Sequence, residues 1–120
     1  MNIDDDTPDT RRAPRRHVAD LVPVTDQISE RVIGRLGNVS ETGMLILASV
    51  SLHEDALYQL QFTLPLLDGR QAPIDVGVHL LWAEPAHVPG QFWAGFRFIT
   101  LSRDHRDLLR GWIGQETPAP

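Results

Sequence analysis

Alternation of apolar and polar side chains is the feature that most constrains the fold of this chain. In residues 58–64, 74–80 and 92–98, an apolar residue occupies every second position. Successive side chains of a β-strand point to opposite faces, so a period of two predicts a strand with one buried face. Three less regular segments are rich in the β-branched and aliphatic residues that strands favour: residues 18–24, 31–39 and 44–50. The chain is therefore expected to form about six strands.

Short polar segments separate the predicted strands. They are rich in turn-forming residues and cover residues 38–43, 53–55, 67–69 and 85–90. None of the connections has a helical pattern, and strands joined directly by turns are expected to be antiparallel.

Only the last segment has the pattern of a helix. Leu108, Leu109, Trp112 and Ile113 recur on one helical face, Ser102 is a candidate N-cap, and Gly114 is expected to end the helix. We therefore predict an all-β fold, a six-stranded antiparallel β-barrel with one C-terminal α-helix.

The chain of 120 residues is long enough for one domain. Residues 1–10 contain four aspartates and a proline, and residues 115–120 contain two prolines. Such polar, proline-containing ends predict flexible tails on either side of a single domain that covers residues 11–114.

Composition argues against several classes of protein. The chain has no cysteine, and its five histidines lack the spacing of metal ligands, so we expect neither disulfides nor a metal site. Ser40 does not lie in a strand-to-helix elbow, and no sequence pattern pairs it with a histidine and an acid, so it does not resemble a catalytic serine. We therefore expect no enzymatic activity.

Charge and hydropathy also limit the partners. A formal net charge of -5 argues against binding to duplex nucleic acid, which needs a basic face. The longest apolar stretch, Met44–Ala48, is far too short to cross a bilayer, and the acidic first residues lack the basic and apolar regions of a signal peptide. We expect a cytoplasmic protein that does not insert into a membrane.

The basic residues are unusual in type and in distribution. All 11 are arginine, and four of them lie within six residues: Arg11, Arg12, Arg15 and Arg16. A guanidinium is a planar fork that binds a phosphate or a guanine edge in a bidentate way and stacks on a base. A GC-rich genome explains the absence of lysine equally well, but it does not explain the clustering.

Two short motifs carry the functional interpretation. Arg12 and Arg16 form Arg-x-x-x-Arg, and residues 38–43 form Asn-x-Ser-x-x-Gly, about twenty residues further along. Their order and separation resemble the paired signatures of PilZ domains, RxxxR followed by [D/N]xSxxG. The flanking residues agree with the family, so the resemblance covers about residues 11 to 113. It implies a PilZ-like split barrel that binds the bacterial second messenger cyclic di-GMP and needs no other cofactor.

The resemblance also implies which residues bind the ligand: Arg11, Arg12, Arg16, Asn38, Ser40 and Gly43. Arginine suits both the phosphates of cyclic di-GMP and the acceptor edge of guanine, whereas Asn38 or the Ser40 hydroxyl offers an acceptor to the donor edge. Gly43 is expected where the chain needs a positive φ or a close approach to the ligand. An aspartate, the more usual residue at position 38, would make a stronger hydrogen bond because it is charged, but the family pattern also allows asparagine, so the effect of Asn38 on affinity is left open.

The register of the first motif is open, because Arg11 and Arg15 have the same spacing as Arg12 and Arg16. Resemblance to the usual RR-x-x-x-R form assigns Arg12 and Arg16 to the motif and makes Arg11 the preceding residue. By analogy with the family, a basic residue there implies a stacked ligand dimer. Arg15 stays a secondary candidate.

Two tryptophans are ambiguous. Trp82 lies where family members carry an aromatic residue near the ligand, but the alternation of its strand favours the core equally well. It is a secondary candidate for ligand binding. Trp93 is expected either to be exposed or to pack under the helix.

Three functions remain open. The leading hypothesis is a cyclic di-GMP receptor that changes its surface on binding and signals through an unidentified effector protein, in the control of motility, biofilm, pili or exopolysaccharide. The second is a nucleotide-independent PilZ-like adaptor in type IV pilus assembly, although such adaptors usually lack one or both motifs. The third is a barrel that binds single-stranded nucleic acid, which the acidic net charge disfavours.

Overall fold

The computed structural model of the protein describes residues 14–18 and 21–115. Within these ranges the chain forms seven strands and one helix. Their bounds are β1 (Arg16–His17), β2 (Pro23–Asp26), β3 (Arg31–Val39), β4 (Gly43–Ala48), β5 (Leu57–Pro65), β6 (Gln71–Pro85), β7 (Phe92–Thr100) and α1 (Arg103–Gly114).

The six longer strands close into an antiparallel barrel. The order around the barrel is β3–β2–β5–β6–β7–β4, and β4 pairs again with β3 to complete the circle. Because the barrel is closed, each of these strands pairs with a neighbour on both sides over at least part of its length. The predicted fold, a six-stranded antiparallel barrel with one C-terminal helix, is confirmed.

The first predicted strand is wrong in its bounds. Residues 18–24 do not form one continuous strand; instead β1 and β2 lie one after the other along the same side of β3. Between them the Val18 amide donates to Gly37 O, and the Leu36 amide donates to Val22 O, both at 2.9 Å. Val18, Leu21 and Val22 thus lie outside both strands, and residues 19 and 20 lie outside the described residues.

The alternating side chains fill the barrel as predicted. Phe62 on β5 and Ile74 on β6 lie directly opposite each other and are no more than 1% exposed. The other core side chains of these two strands share that face and are equally buried: Leu60, Leu64, Val76, Val78 and Leu80. Burial of each such side chain contributes about 1.5–3 kcal/mol to folding, so this double row is a large part of the hydrophobic core.

Helix α1 closes one end of the barrel. Its N-cap is Ser102, whose hydroxyl accepts a hydrogen bond from the His105 amide at 3.1 Å, as the sequence predicts. Leu109 and Trp112 face the core and are 0% and 3% exposed, and Trp112 Nε1 donates to Pro65 O at 3.1 Å. The helix therefore plugs the barrel with its last two turns.

Helix α1 also covers a free stretch of strand. Strand β6 begins to pair with β7 only at Gly77, so its earlier residues have β5 as their strand partner. There the Asp75 amide donates to His105 Nδ1 at 3.1 Å. A helical side chain thus satisfies a backbone donor that would otherwise lack a partner.

The predicted tails, 1–10 and 115–120, lie outside the described residues except for Gln115. That residue is the C-cap of α1, and its amide donates to Gly111 O at 3.1 Å. No helix within residues 14–18 and 21–115 is long and apolar enough to cross a membrane.

Candidate ligand-binding site

The second motif forms the turn between β3 and β4. Ser40 is 1% exposed, and its Oγ accepts hydrogen bonds from the amides of Thr42 and Gly43, both at 3.2 Å. Its hydroxyl also lies 3.3 Å from Gly43 O, to which it donates. These contacts use both acceptor positions and the donor of the hydroxyl. In this structure Ser40 therefore shapes the turn and faces no open surface.

Gly43 has a steric role. Its φ is not positive; among the described glycines only Gly69 and Gly90 have positive φ. A Cβ at residue 43 would overlap the carbonyl oxygen of Phe96 on the neighbouring strand β7. The close approach that requires a glycine here is therefore to the backbone of β7, and the expected positive φ is wrong.

Asn38 stands on the outer surface next to a β-bulge. The pairing of β3 with β4 shifts register between Leu36 and Asn38, which leaves Gly37 as the extra residue. Asn38 is half-buried, and its Oδ1 accepts a hydrogen bond from Arg15 Nη1 at 2.7 Å. The structure thus brings one residue of the second motif into contact with the arginine cluster.

The two described arginines of the cluster point in opposite directions. In the β1–β3 pair, His17 lies opposite Asn38 and Arg16 lies opposite Val39, which is fully buried. Opposed residues share a face of the sheet, and neighbours along a strand take opposite faces. Arg15 therefore shares the outer face with Asn38, whereas Arg16 points toward the end of the barrel.

Arg16 lies against helix α1. Its guanidinium carbon is 3.8 Å from the centre of the Trp112 ring, and its Nη1 donates to Trp112 O at 2.5 Å. This is a cation–π contact combined with a hydrogen bond to the last turn of the helix. Of the three arginines that were predicted to bind the ligand, Arg16 thus contacts the helix in this structure. Arg11 and Arg12 lie outside the described residues.

A groove opens on the outer face beside Asn38. Its volume is about 270 Å³, and its lining combines polar and apolar side chains: Arg15, Asn38, Met44, Leu45, Leu81, Trp82, Gly95 and Phe96. Neither Ser40 nor Gly43 is among them. The structure therefore gathers Arg15, Asn38 and Trp82 around one concave surface, next to the turn that Ser40 and Gly43 form.

Trp82 forms a flat wall of this groove. The β6–β7 register shifts between Leu80 and Trp82, so Leu80 is buried whereas Trp82 is 41% exposed. The indole covers Gly95, where an added Cβ would lie 2.9 Å from Trp82 Cζ2. The bulge breaks the alternation, and the alternative that placed Trp82 in the core is wrong. Trp93 is half-buried and lies over Gly37, outside the barrel core.

A link between the second motif and the helix was missed in the sequence. Arg110 donates from Nε and Nη2 to Glu41 Oε1, at 3.0 and 2.9 Å. The carboxylate raises the pKa of the Arg110 guanidinium, chiefly through this hydrogen bond. Glu41 occupies a variable position of the motif and its partner is 69 residues away, so no local pattern signals the pair.

Acidic and histidine side chains do not assemble into a metal site in the part of the chain that the structure describes. No group of three or more of them there could hold an ion. His79 instead pairs with Asp55, with 2.6 Å between Nε2 and Oδ1, and His105 accepts from the backbone of β6.

The comparisons with known proteins agree with the barrel fold. The PilZ domain family model matches residues 9–115. The inhibitor of motility MotI/DgrA of Bacillus subtilis has a TM-score of 0.71 at 15% identity over 88% of this chain, which spans only 50% of that protein. The PilZ domain of Escherichia coli YcgR, solved with c-di-GMP, has a TM-score of 0.63 at 20% identity, covering 89% of this chain and 92% of that one. No curated protein matches the sequence significantly.

Proposed function

The chain belongs to the PilZ domain family, and from this membership we propose that it is a receptor for cyclic di-GMP that signals through a protein partner. The observation that carries the proposal is the groove in which Arg15, Asn38 and Trp82 meet. These three side chains supply a cation, a hydrogen-bonding amide and an aromatic face. A guanine nucleotide has a group that suits each of these three contacts.

Each wall of the groove suits one part of a guanine nucleotide. The exposed indole of Trp82 offers a stacking surface, and stacking on an aromatic side chain contributes about 1–3 kcal/mol per base. The Arg15 guanidinium matches the O6 and N7 acceptors of guanine or a phosphate oxygen. Asn38 Oδ1, which Arg15 holds in place at 2.7 Å, is an acceptor for the guanine N1 and N2 donors.

The size of the groove limits how much of the ligand it can hold. Pockets that enclose a whole drug-sized ligand have volumes of about 300–1,000 Å³. At about 270 Å³ the groove suits one base, so the rest of the dinucleotide would lie on the barrel surface. In our proposal Arg11, Arg12 and Arg16 cover that part and bind the two phosphates, and a second stacked ligand molecule occupies the open side.

Signalling would pass through contacts with another protein. The barrel carries a second apolar groove of about 350 Å³, lined in part by the exposed side chains of Ile28, Leu57 and Ile99. Exposed apolar patches of this kind mark contact surfaces. A receptor of this type acts in the cytoplasm and needs no catalytic group, and the structural likeness to an inhibitor of motility supports motility as the process.

Measurements of cyclic di-GMP binding by single alanine variants test the proposal. Arg15→Ala should weaken cyclic di-GMP binding at least about tenfold, the loss expected when a hydrogen bond from a charged group is removed. Asn38→Ala should weaken it about two- to tenfold, because its hydrogen bond to guanine joins two neutral groups. Arg70→Ala is the control, because Arg70 is also exposed but pairs with Asp68 in the turn between β5 and β6. Equal affinities for all three variants would refute this site. No binding by the unmodified protein would favour the nucleotide-independent adaptor of pilus assembly.

A further inference from the structure

Trp93 covers the β-bulge that precedes Asn38. It lies on the outer face of β7, opposite Leu47 of β4, because its neighbour Ala94 points into the core. The six-membered part of its ring nevertheless reaches strand β3, where a Cβ added to Gly37 would lie 3.2 Å from Trp93 Cζ3. The indole thus crosses β4, and Leu47 is only 9% exposed although it lies outside the barrel core.

The bulge is also where the segment of the first motif is attached to the barrel. Gly37 is the extra residue of β3, and its carbonyl oxygen accepts a hydrogen bond from the Val18 amide at 2.9 Å. The next residue, Asn38, lies opposite His17 of β1 and accepts a hydrogen bond from Arg15 Nη1 at 2.7 Å. The position of the bulge therefore decides where Asn38 and Arg15 stand at the groove.

The indole packs closely because the residue beneath it has no side chain. At a bulge, two residues of one strand oppose a single residue of its partner, here Gly37 and Asn38 opposite Leu45. If Asn38 were the extra residue, it would lose its place opposite Leu45 and with it the direction of its side chain toward the groove. With Gly37 as the extra residue, the ring lies directly on the backbone. Burial of the indole therefore favours this position of the bulge.

We propose that Trp93 is a positioning residue of the ligand site: its indole holds the bulge at Gly37 and thereby keeps Asn38 and Arg15 in place at the groove. This inference rests on the proposed function and names a residue outside both motifs on which the affinity depends. Trp93 is not among the residues that line the groove. It therefore acts through Asn38 and not by contact with the ligand.

Amide hydrogen exchange followed by NMR on the full chain, without ligand, tests whether the indole holds the bulge. Trp93→Leu should accelerate exchange of the Val18 amide about tenfold, because its hydrogen bond to Gly37 O opens more often when the bulge is no longer fixed. Phe92→Leu is the matched control, since Phe92 is the preceding aromatic residue of β7 and packs against the barrel core. Equal Val18 exchange rates in the two variants would overturn the positioning role, whether or not the protein binds the ligand.

A double-mutant cycle on the affinity for cyclic di-GMP, measured by isothermal titration calorimetry, tests whether Trp93 acts through Asn38. Trp93→Leu should weaken binding about two- to tenfold, the same range as Asn38→Ala, because it removes the same hydrogen bond from the groove. The variant with both changes should bind within about twofold of Asn38→Ala alone, since a residue that acts through another has nothing further to lose. Phe92→Leu should bind like the unmodified protein.

Gly37→Ala is the second variant and perturbs the same contact from the other side. Its Cβ would lie 3.2 Å from both the Trp93 ring and the Leu45 carbonyl oxygen, so the ring or the bulge must shift by a few tenths of an ångström. Binding should weaken, again without a further loss when Gly37→Ala is combined with Asn38→Ala. Unmodified affinity in Gly37→Ala would contradict the dependence of the groove on this bulge.

The outcomes distinguish the inference from the function. Additive losses in the variant with both Trp93→Leu and Asn38→Ala would mean that Trp93 contacts the ligand or acts elsewhere. That result, or an unchanged affinity of Trp93→Leu, would overturn the positioning role and leave the receptor function intact. Absence of binding by the unmodified protein would overturn the proposed function, and the exchange rate of Val18 would then still decide whether the indole holds the bulge.

Discussion

Replacing Gly43 by alanine should destabilise the barrel strongly, although it adds a single methyl group. Gly43 and Met44 of β4 lie opposite Arg97 and Phe96 of β7. A Cβ at residue 43 would overlap the Phe96 carbonyl oxygen and lie 3.4 Å from its carbon. This obstacle is backbone and cannot rotate away, so the two strands must separate.

The expected cost combines two effects. Overpacking by a methyl group costs about 1–3 kcal/mol, and weakening of a neighbouring interstrand hydrogen bond adds about 1 kcal/mol. We expect Gly43→Ala to lower the free energy of unfolding by about 2–4 kcal/mol. For a urea m-value near 1.5 kcal/mol/M, the unfolding midpoint should fall by roughly 1–3 M.

Urea denaturation followed by circular dichroism measures this shift. Gly111→Ala is the matched control, because Gly111 lies in α1 and has nothing within 4 Å of an added Cβ. There the same substitution should raise stability by about 0.5–1 kcal/mol, since alanine favours helices. A Gly43→Ala midpoint equal to that of the unmodified protein would refute the steric explanation for this glycine.

Three other changes have defined outcomes. Trp82→Ala should weaken cyclic di-GMP binding by about tenfold or more, whereas Trp82→Phe should largely preserve it, because a base needs only an aromatic face for stacking. Equal losses of affinity for the two variants in a titration would contradict stacking. Asn38→Asp should strengthen binding severalfold in the same titration, since a charged acceptor makes the stronger hydrogen bond to guanine, and weaker binding would contradict that role. Hydrogen bonds from the amide and guanidinium of Arg70 lower the pKa of Asp68. Because the pKa of Asp68 is lower in the folded protein, its pairing with Arg70 stabilises the turn at pH values above the unfolded pKa, and this stabilisation is lost as pH falls through the folded pKa. In Arg70→Ala, an NMR titration should find a higher pKa for Asp68. An unchanged pKa would refute the role of Arg70 in lowering it.

The sequence predicts most of this fold because alternation is a local property. The segments 58–64 and 74–80 alternate regularly and lie inside β5 and β6, and the helical pattern with its Ser102 cap marks α1. Family membership and fold class are both confirmed. The assignment of ligand residues stays a prediction.

Features that depend on register could not be predicted from local patterns. A bulge between Leu80 and Trp82 turns the indole outward, although the sequence pattern continues as before. The pairing of Arg16 with Val39 decides that Arg15, and not Arg16, faces Asn38.

Contacts between segments that are distant in the sequence could not be predicted from local patterns either. Arg16 and Trp112 are 96 residues apart in the chain, and their contact depends on how α1 closes the barrel. A motif names residue types that suit a ligand, but it does not say which of them the fold already uses.

Isothermal titration calorimetry of the purified protein with cyclic di-GMP, with GTP and cyclic GMP as controls, tests the receptor function most directly. We expect micromolar or tighter binding that is specific to the dinucleotide, with a ratio near two ligands per chain if the ligand binds as a stacked dimer. Absence of binding heat at any accessible concentration, or equal binding of GTP, would contradict the receptor function.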